Sequence, residues 1–260
     1  MTLTPNDARG IQALVESQFS PQAAAYVASP VHAVGADLDA LADAVAGRGL
    51  VNALDLGCGG GHVSFTLAPH VARVTAYDLS QSMLAAVLAE AARRGLSNIS
   101  TMEGCAEALP FADETFDLVV SRYSAHHWSD VPAGLGEARR VVKAQGKVMV
   151  IDVVAPAHPL LDTFLQAVEL LRDPSHVRDY AIGQWRAMAQ AAGFAVERVE
   201  TRRLRLEFQS WVTRIRTDPL HVEAIRSLQA LAADTVRAHF SIEADGTFTV
   251  DIATLLLAPA

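Results

Sequence analysis

Three glycines at alternate positions, Gly57, Gly59 and Gly61, lie between two carboxylates, Asp55 before them and Asp78 after them. Glycine admits positive φ and leaves the main chain open to close approach, so the run LDLGCGGGH (Leu54 to His62) gives up backbone entropy to let another group come near. An acid about 20 residues past such a loop can accept hydrogen bonds from both hydroxyls of an adenosine ribose, and Asp78 has that spacing. The dinucleotide fingerprint G-x-G-x-x-G also requires a small third residue. Counted from Gly57, that place holds His62, which is too large. Asp55, inside the strand end, would repel a pyrophosphate and favour a ligand with positive charge. The pattern therefore points to an adenosine-bearing, positively charged ligand.

His126 and His127 follow a strand-like run, where a histidine on the sheet rim can take a proton near neutral pH. Consecutive side chains in an extended segment face opposite ways, so one of the pair is expected in a pocket and the other beneath the loop, with His126 the expected functional member. Trp128 reads as wall or core, and His62 as a structural or ligand-side residue. Phe19, Tyr26 and His32 lie on an amino-terminal stretch that could fold over a ligand, Tyr26 being the preferred functional member; Phe19 could equally pack into the core. In RDPSHVRDY, Arg172, His176 and Arg178 could bind a carboxylate or phosphate. A short charged run is more simply a solvated surface, or an internal pairing with Asp173 or Asp179. No C-x-x-C or H-E-x-x-H occurs, and Asp152 could in principle contribute to a cation site but has no partner acid nearby in sequence, so no metal is expected.

The elements that must position these residues alternate. VNALDLGC, RVTAYDLS, NISTMEGC, FDLVVSRY and GKVMVIDVV read as buried strands. Between them lie helical patterns, such as Gln81 to Arg94 with Ser80 as N-cap and Gly95 as stop, and a helix closed by Gly146. Strand, helix, strand in this rhythm means an α/β fold, a doubly wound, mostly parallel sheet of seven strands, completed by AVERVETRRLRLEF and TFTVDIATLLLA. The arginines of TRRLRLEF are read as the solvent face of an edge strand. Residues 1–45 are expected to form a helical lid on a domain spanning 46–260, with helical insertions at about 157–182 and 210–239. With 260 residues, 51% hydrophobic, the chain can bury one large core. Its net charge of −8 argues against a nucleic-acid partner. Two cysteines suit a reducing compartment. No secretory signal or membrane-length run is read, so a cytoplasmic protein is expected.

NALDLGCGGGHVS, VTAYDLSQSML, EGCAEALPFADETFDLVVSRYSAHHW and the helix before GKVMVIDV together resemble the successive motifs of class I S-adenosylmethionine-dependent methyltransferases of the type 11 domain kind. They are most similar to the ubiquinone/menaquinone-biosynthesis C-methyltransferases and the YafE/YcgJ-like group, over roughly Val51 to Val154. S-adenosylmethionine, with its sulfonium and ammonium groups, has the expected charge. The resemblance implies that Gly57, Gly59 and Gly61, with Cys58 among them, embrace the methionine part. It implies that Asp55 orients the loop and the ammonium group and that Asp78 holds the ribose. Leu79 and Met83 would pack on adenine, the Ala106 backbone would meet its edge, and Ser121 would lie beside the methionyl end. Cys105 replaces the family's usual acid, and a thiol is a weaker acceptor for the adenine amino group.

The expected activity is methyl transfer by direct displacement to a small organic acceptor, with His126, His127 and Tyr26 as catalytic candidates and apolar walls from Phe19, Trp128, Phe164 and Trp185. A homodimer is left open. The rival readings are an NAD(P)-dependent oxidoreductase and a binding protein that retains S-adenosylmethionine without turnover.

Overall fold

The computed structural model describes residues 5–27 and 34–260. Seven strands, β1 (Asn52–Leu56), β2 (Arg73–Asp78), β3 (Ile99–Glu103), β4 (Phe116–Arg122), β5 (Val142–Val154), β6 (Phe194–Leu206) and β7 (Phe248–Pro259), form one sheet in the order β3-β2-β1-β4-β5-β7-β6. The first five run parallel, and β7 is antiparallel to both neighbours. The chain order reverses between β1 and β4, so their carboxyl ends open a crevice of the kind where α/β sheets bind ligands.

The strands read as continuous apolar runs because both faces are covered. Ala53, Leu118, Val120, Met149 and Ile151 pack on one side with α3 (Ala36–Val45), α4 (His62–Leu67) and α5 (Gln81–Arg93). Their alternates Leu54, Leu56, Val119, Val148 and Val150 pack on the other with α6 (Val131–Val141) and α8 (Ile182–Ala191). Ser80 caps α5 by accepting from the Met83 amide at 3.2 Å, and Asp130 caps α6 by accepting from Ala133 at 2.9 Å. These caps aim the helix starts, and the loops before them, at the crevice.

One boundary differs from the sequence reading. α6 stops at Val141, and β5 is already extended at Val142 instead of beginning at Gly146. Two adjacent β-branched residues favour the pleated surface over another helical turn. α7 (Pro159–Arg172), α9 (Phe208–Thr213), α10 (Pro219–Leu231) and α11 (Asp234–Phe240) form a cover around Phe164, Val168, Trp211, Ile225, Phe240 and Phe248. Ahead of the sheet come α1 (Pro5–Phe19) and α2 (Ala23–Val27). No described helix is long and apolar enough to cross a membrane.

Asp117 fixes the start of β1. Its Oδ2 accepts from the amides of Val51 and Asn52 at 3.1 and 2.9 Å, and Lys143 Nζ donates to Oδ1 at 2.7 Å. Asp117→Ala removes a charged acceptor from two main-chain donors and is expected to cost about 2 kcal/mol. A lower urea midpoint at unchanged m-value would show it.

Candidate active site

A cavity of about 340 Å³ occupies the crevice. At one end stand Gly57, Gly59, Asp78, Leu79, Met83 and Ala106; at the other stand Tyr26, His126, His127, Glu169, Arg172 and Asp179.

At the first end, Gly57, Gly59 and Gly61 have φ of +73°, +47° and +77°, which side-chain-bearing residues adopt only under strain. The amides of Gly57 and Cys58 both donate to the Tyr77 carbonyl, at 2.8 and 3.0 Å, and the loop folds back tightly. A Cβ on Gly59 would meet no atom within 4 Å and would enter the cavity, which makes this position a cradle for a ligand. Gly61 differs: its Cβ would press on Val87 at 2.8 Å, so it serves helix packing and does not line the cavity.

Asp78 accepts from the Gly59 amide through Oδ2 at 2.8 Å and from the Ser80 amide through Oδ1 at 2.9 Å. Each oxygen keeps a second acceptor position. Burial holds its carboxyl above the usual carboxylate range, against the pull of those amides. Asp55 accepts from both the amide and hydroxyl of Ser64, at 2.9 and 2.7 Å, which pins the strand end to the first turn of α4. It lines a smaller adjoining pocket together with Cys58, Gly60 and His62. Burial raises its pKa to about 7, outweighing the Ser64 bonds.

Two expected contacts lie elsewhere. Cys105 does not line the cavity; Gly104 and Ala106 on either side of it do, and the Cys105 carbonyl accepts from the Tyr77 hydroxyl at 3.1 Å. Ser121 is buried in β4 short of the cavity, which Arg122 and Tyr123 line instead. Glu107, two residues beyond Cys105, was not singled out. It lines the cavity and fixes the start of α6 by accepting from the amide and hydroxyl of Ser129, at 2.8 and 2.7 Å.

The amino-terminal stretch lies directly on the glycine loop. A Cβ on Gly60 would sit 2.8 Å from the Tyr26 carbonyl, and His62 Nε2 is 2.9 Å from that oxygen, a structural role for this histidine. Phe19 meets Tyr26 and His127 edge-on, with ring centroids 5.5 and 5.0 Å apart. Burial raises the Tyr26 phenol above its ordinary range, so it is a donor at neutral pH, beside Arg172. His32 lies outside the described residues.

At the other end, both histidines reach the cavity, because Ala125–His127 forms a short 3-10 turn and not an extended segment. His126 Nδ1 is 2.6 Å from Asp152 Oδ1. Burial works against charge on this ring, but the charge and hydrogen bond of Asp152, with Asp179 and Glu169, raise it to about 9. Burial and the His126 charge push His127 down to about 4. Its Nδ1 is 3.1 Å from the Ser175 carbonyl, which can only accept, so Nδ1 carries the proton and Nε2 the lone pair.

RDPSHVRDY is not a solvated surface: Asp173, Ser175, His176 and Asp179 are all buried. The amides of Val177 and Arg178 donate to the His126 carbonyl at 2.9 and 3.2 Å, which ties the segment to the turn. Arg178 pairs with Asp162 at 2.6 Å, and not with Asp173 or Asp179. His126, Asp152 and Asp179 each offer a ligand atom, all within 4.8 Å of one another, so the fold supplies the partner acid that sequence spacing hid. Of the expected aromatic walls, Phe19 and Trp128 line the cavity, while Phe164 and Trp185 belong to the cores. Trp211 takes their place. Arg202 and Arg203 of edge strand β6 also reach the cavity and do not simply face solvent.

Residues 54–150 match the family model described as a methyltransferase domain. The chain is 50% identical over 192 residues to the Escherichia coli (strain K12) protein YafE, covering 74% of this chain and 93% of YafE. It is 34% identical over 227 residues to the methyltransferase YcgJ of Bacillus subtilis (strain 168), covering 87% and 90% of the two chains. The crystal structure of YcgJ superposes with a TM-score of 0.81 at 30% identity, over 86% of this chain and 98% of that one. Demethylmenaquinone methyltransferase of Chlorobaculum parvum is 36% identical over 109 residues, 42% of this chain and 43% of that protein. The chain belongs to the S-adenosylmethionine-dependent methyltransferase family.

The first end of the cavity fits this methyltransferase's cofactor. The open cradle at Gly59 and the second acceptor positions of Asp78 offer main-chain approach and ribose recognition, and Leu79 and Met83 offer an apolar wall. Asp55 has a measurable consequence. Its carboxyl titrates near 3.8 when unfolded and near 7 when folded, so the folded chain holds the proton more tightly. Its contribution to stability is therefore present below pH 4 and is lost as pH rises through 7. Chemical denaturation of the cofactor-free protein from pH 5 to 8 should show wild type losing stability relative to Asp55→Asn. A constant difference would contradict the assignment.

Proposed function

We propose that this methyltransferase acts on a small hydroxylated aromatic acceptor, of the reduced-quinone kind, with His127 handling the acceptor's proton. The reading is carried by one observation: a single cavity runs unbroken from the glycine loop and Asp78 to Tyr26, His126 and His127. Phe19, Trp128 and Trp211 around it suit a flat apolar ring, and the relative named demethylmenaquinone methyltransferase supports the acceptor class. The net charge of −8 favours a small molecule over a nucleic acid. Two free cysteines suit a cytoplasmic setting.

S-adenosylmethionine supplies the electrophilic methyl carbon when bound. Asp78 holds the ribose hydroxyls, and Leu79 and Met83 pack against the adenine. Alignment of the two reactants is the main contribution of the protein to a direct displacement. His127 is the ring whose lone pair is left open, since Ser175 fixes the proton on Nδ1. The positive charge that forms on the ring when Nε2 takes a proton is offset by the Asp173 carboxylate, whose Oδ2 lies 3.8 Å away. The Tyr26 hydroxyl can donate to an acceptor oxygen.

Two variants separate the ends of the cavity. Asp78→Ala removes bonds to a charged acceptor and should weaken S-adenosylmethionine binding about 10- to 100-fold by calorimetry. His127→Asn should leave that affinity within twofold while lowering methyl transfer to a hydroquinone acceptor by about 10²- to 10⁴-fold. Wild-type turnover in His127→Asn would remove the proton-handling role, and unchanged binding in Asp78→Ala would remove the ribose assignment.

A further inference from the structure

Beyond the methyl-transfer machinery, four carboxylates are buried around the turn that bears the histidines. Asp152 lies near the end of β5, Glu169 belongs to α7, and Asp173 and Asp179 lie in the segment after it; all are under a tenth exposed. A negative charge on a buried side chain needs a counter-charge or a proton nearby, and burial raises the carboxyls of Glu169 and Asp179.

The nearby side chains compensate this group unevenly. Asp152 has the His126 ring at 2.6 Å, and Glu169 has Arg172 at 3.8 Å. Asp173 accepts from the amide and hydroxyl of Ser175 through Oδ1, at 2.9 and 2.6 Å. Asp179 is 2% exposed, and its Oδ2 has no hydrogen-bond partner among the described residues. The nitrogen facing it, His176 Nε2 at 3.9 Å, donates instead to Gln166 Oε1 at 3.1 Å, an oxygen that also accepts from the Asp179 amide. The main chain of Asp179 is thus held in place by Gln166 while its carboxylate is left at the cavity wall beside His126 and Asp152. An orphaned, deeply buried carboxylate next to an imidazole and a second carboxylate is a ligand set without its ion.

We propose that His126, Asp152 and Asp179 bind a divalent cation at the acceptor end of the cavity. One imidazole and two carboxylates suit ions that accept mixed nitrogen and oxygen ligands, such as Zn²⁺, Mn²⁺ or Co²⁺. Three protein ligands leave coordination positions open, and His126 and Asp179 both line the cavity, so an acceptor oxygen can complete the shell. The donor atoms come from three elements: the turn after β4, the end of β5 and the segment after α7. A bound ion would therefore join the cover to the sheet. The cation site stands apart from the assignment of the acceptor and of His127, because metal binding is read without turnover.

The test uses Co²⁺ added to the full chain after dialysis against a chelator. Wild type should take up one ion per chain, gain a visible absorption band of nitrogen and oxygen ligation, and melt several degrees higher. Asp179→Asn, nearly isosteric, should weaken Co²⁺ binding about 100-fold or more and lose the metal-dependent rise in melting temperature. Without metal it should melt close to wild type, because burial raises the Asp179 carboxyl well above its ordinary range and Asn replaces it with a neutral group of nearly the same shape. Asp152→Asn should lose the same absorption band. Absence of stoichiometric Co²⁺ in wild type, or equal binding in Asp179→Asn, would overturn the proposal.

Discussion

One carboxylate organises the cofactor end of this protein. Asp78 spans from the Gly59 amide to the Ser80 amide, and so ties the glycine loop after β1 to the cap of α5 after β2. The amides of Gly57 and Cys58 already tie the loop to β2 at the Tyr77 carbonyl, and Asp78 extends that tie to the start of α5. With that link, the conformation of the loop, the start of α5 and the apolar wall of Leu79 and Met83 become a single unit. Burial makes ionising this group costly, and the two amides offset that cost in the absence of any ligand. The same carboxylate thus holds the scaffold and keeps acceptor positions for the ribose.

The opposite end follows a different logic. There the chain concentrates acids: four buried carboxyl groups surround a turn with two imidazoles, burial raises those of Glu169 and Asp179, and two carboxyl oxygens, on Asp173 and Asp179, lack hydrogen-bond partners among the described residues. A core selected only for stability would not keep such groups. The apolar clusters on both faces of the sheet provide the stability that permits this strained polar region.

What the sequence made legible, and what it did not, divides along the same line. The glycine loop, Asp78, Leu79 and Met83 are local features whose spacing follows from one strand, one turn and one helix, so periodicity and motif suffice. Tyr26, His126 and His127 were also visible as types in the right places. The convergence of the acids was not, because Asp152 and Asp179 are 27 positions apart and meet only through the path of α7 and the segment after it. RDPSHVRDY reads as a charged surface by composition, and only the fold shows it turned inward against the His126 carbonyl. Cys105 and Ser121 show the reverse error. A family motif fixes a position in the chain, whereas a shift of one residue decides whether a side chain meets the cavity.

The adjacency of His126 and His127 has a further meaning. Their ring centroids are 4.2 Å apart in a single 3-10 turn, and the charge on the first lowers the proton affinity of the second. Replacing His126 by a neutral residue therefore removes one of the two causes that hold the His127 ring low, burial being the larger. The turn thus carries one proton-binding unit of two rings, in which a charge on the first is felt by the second.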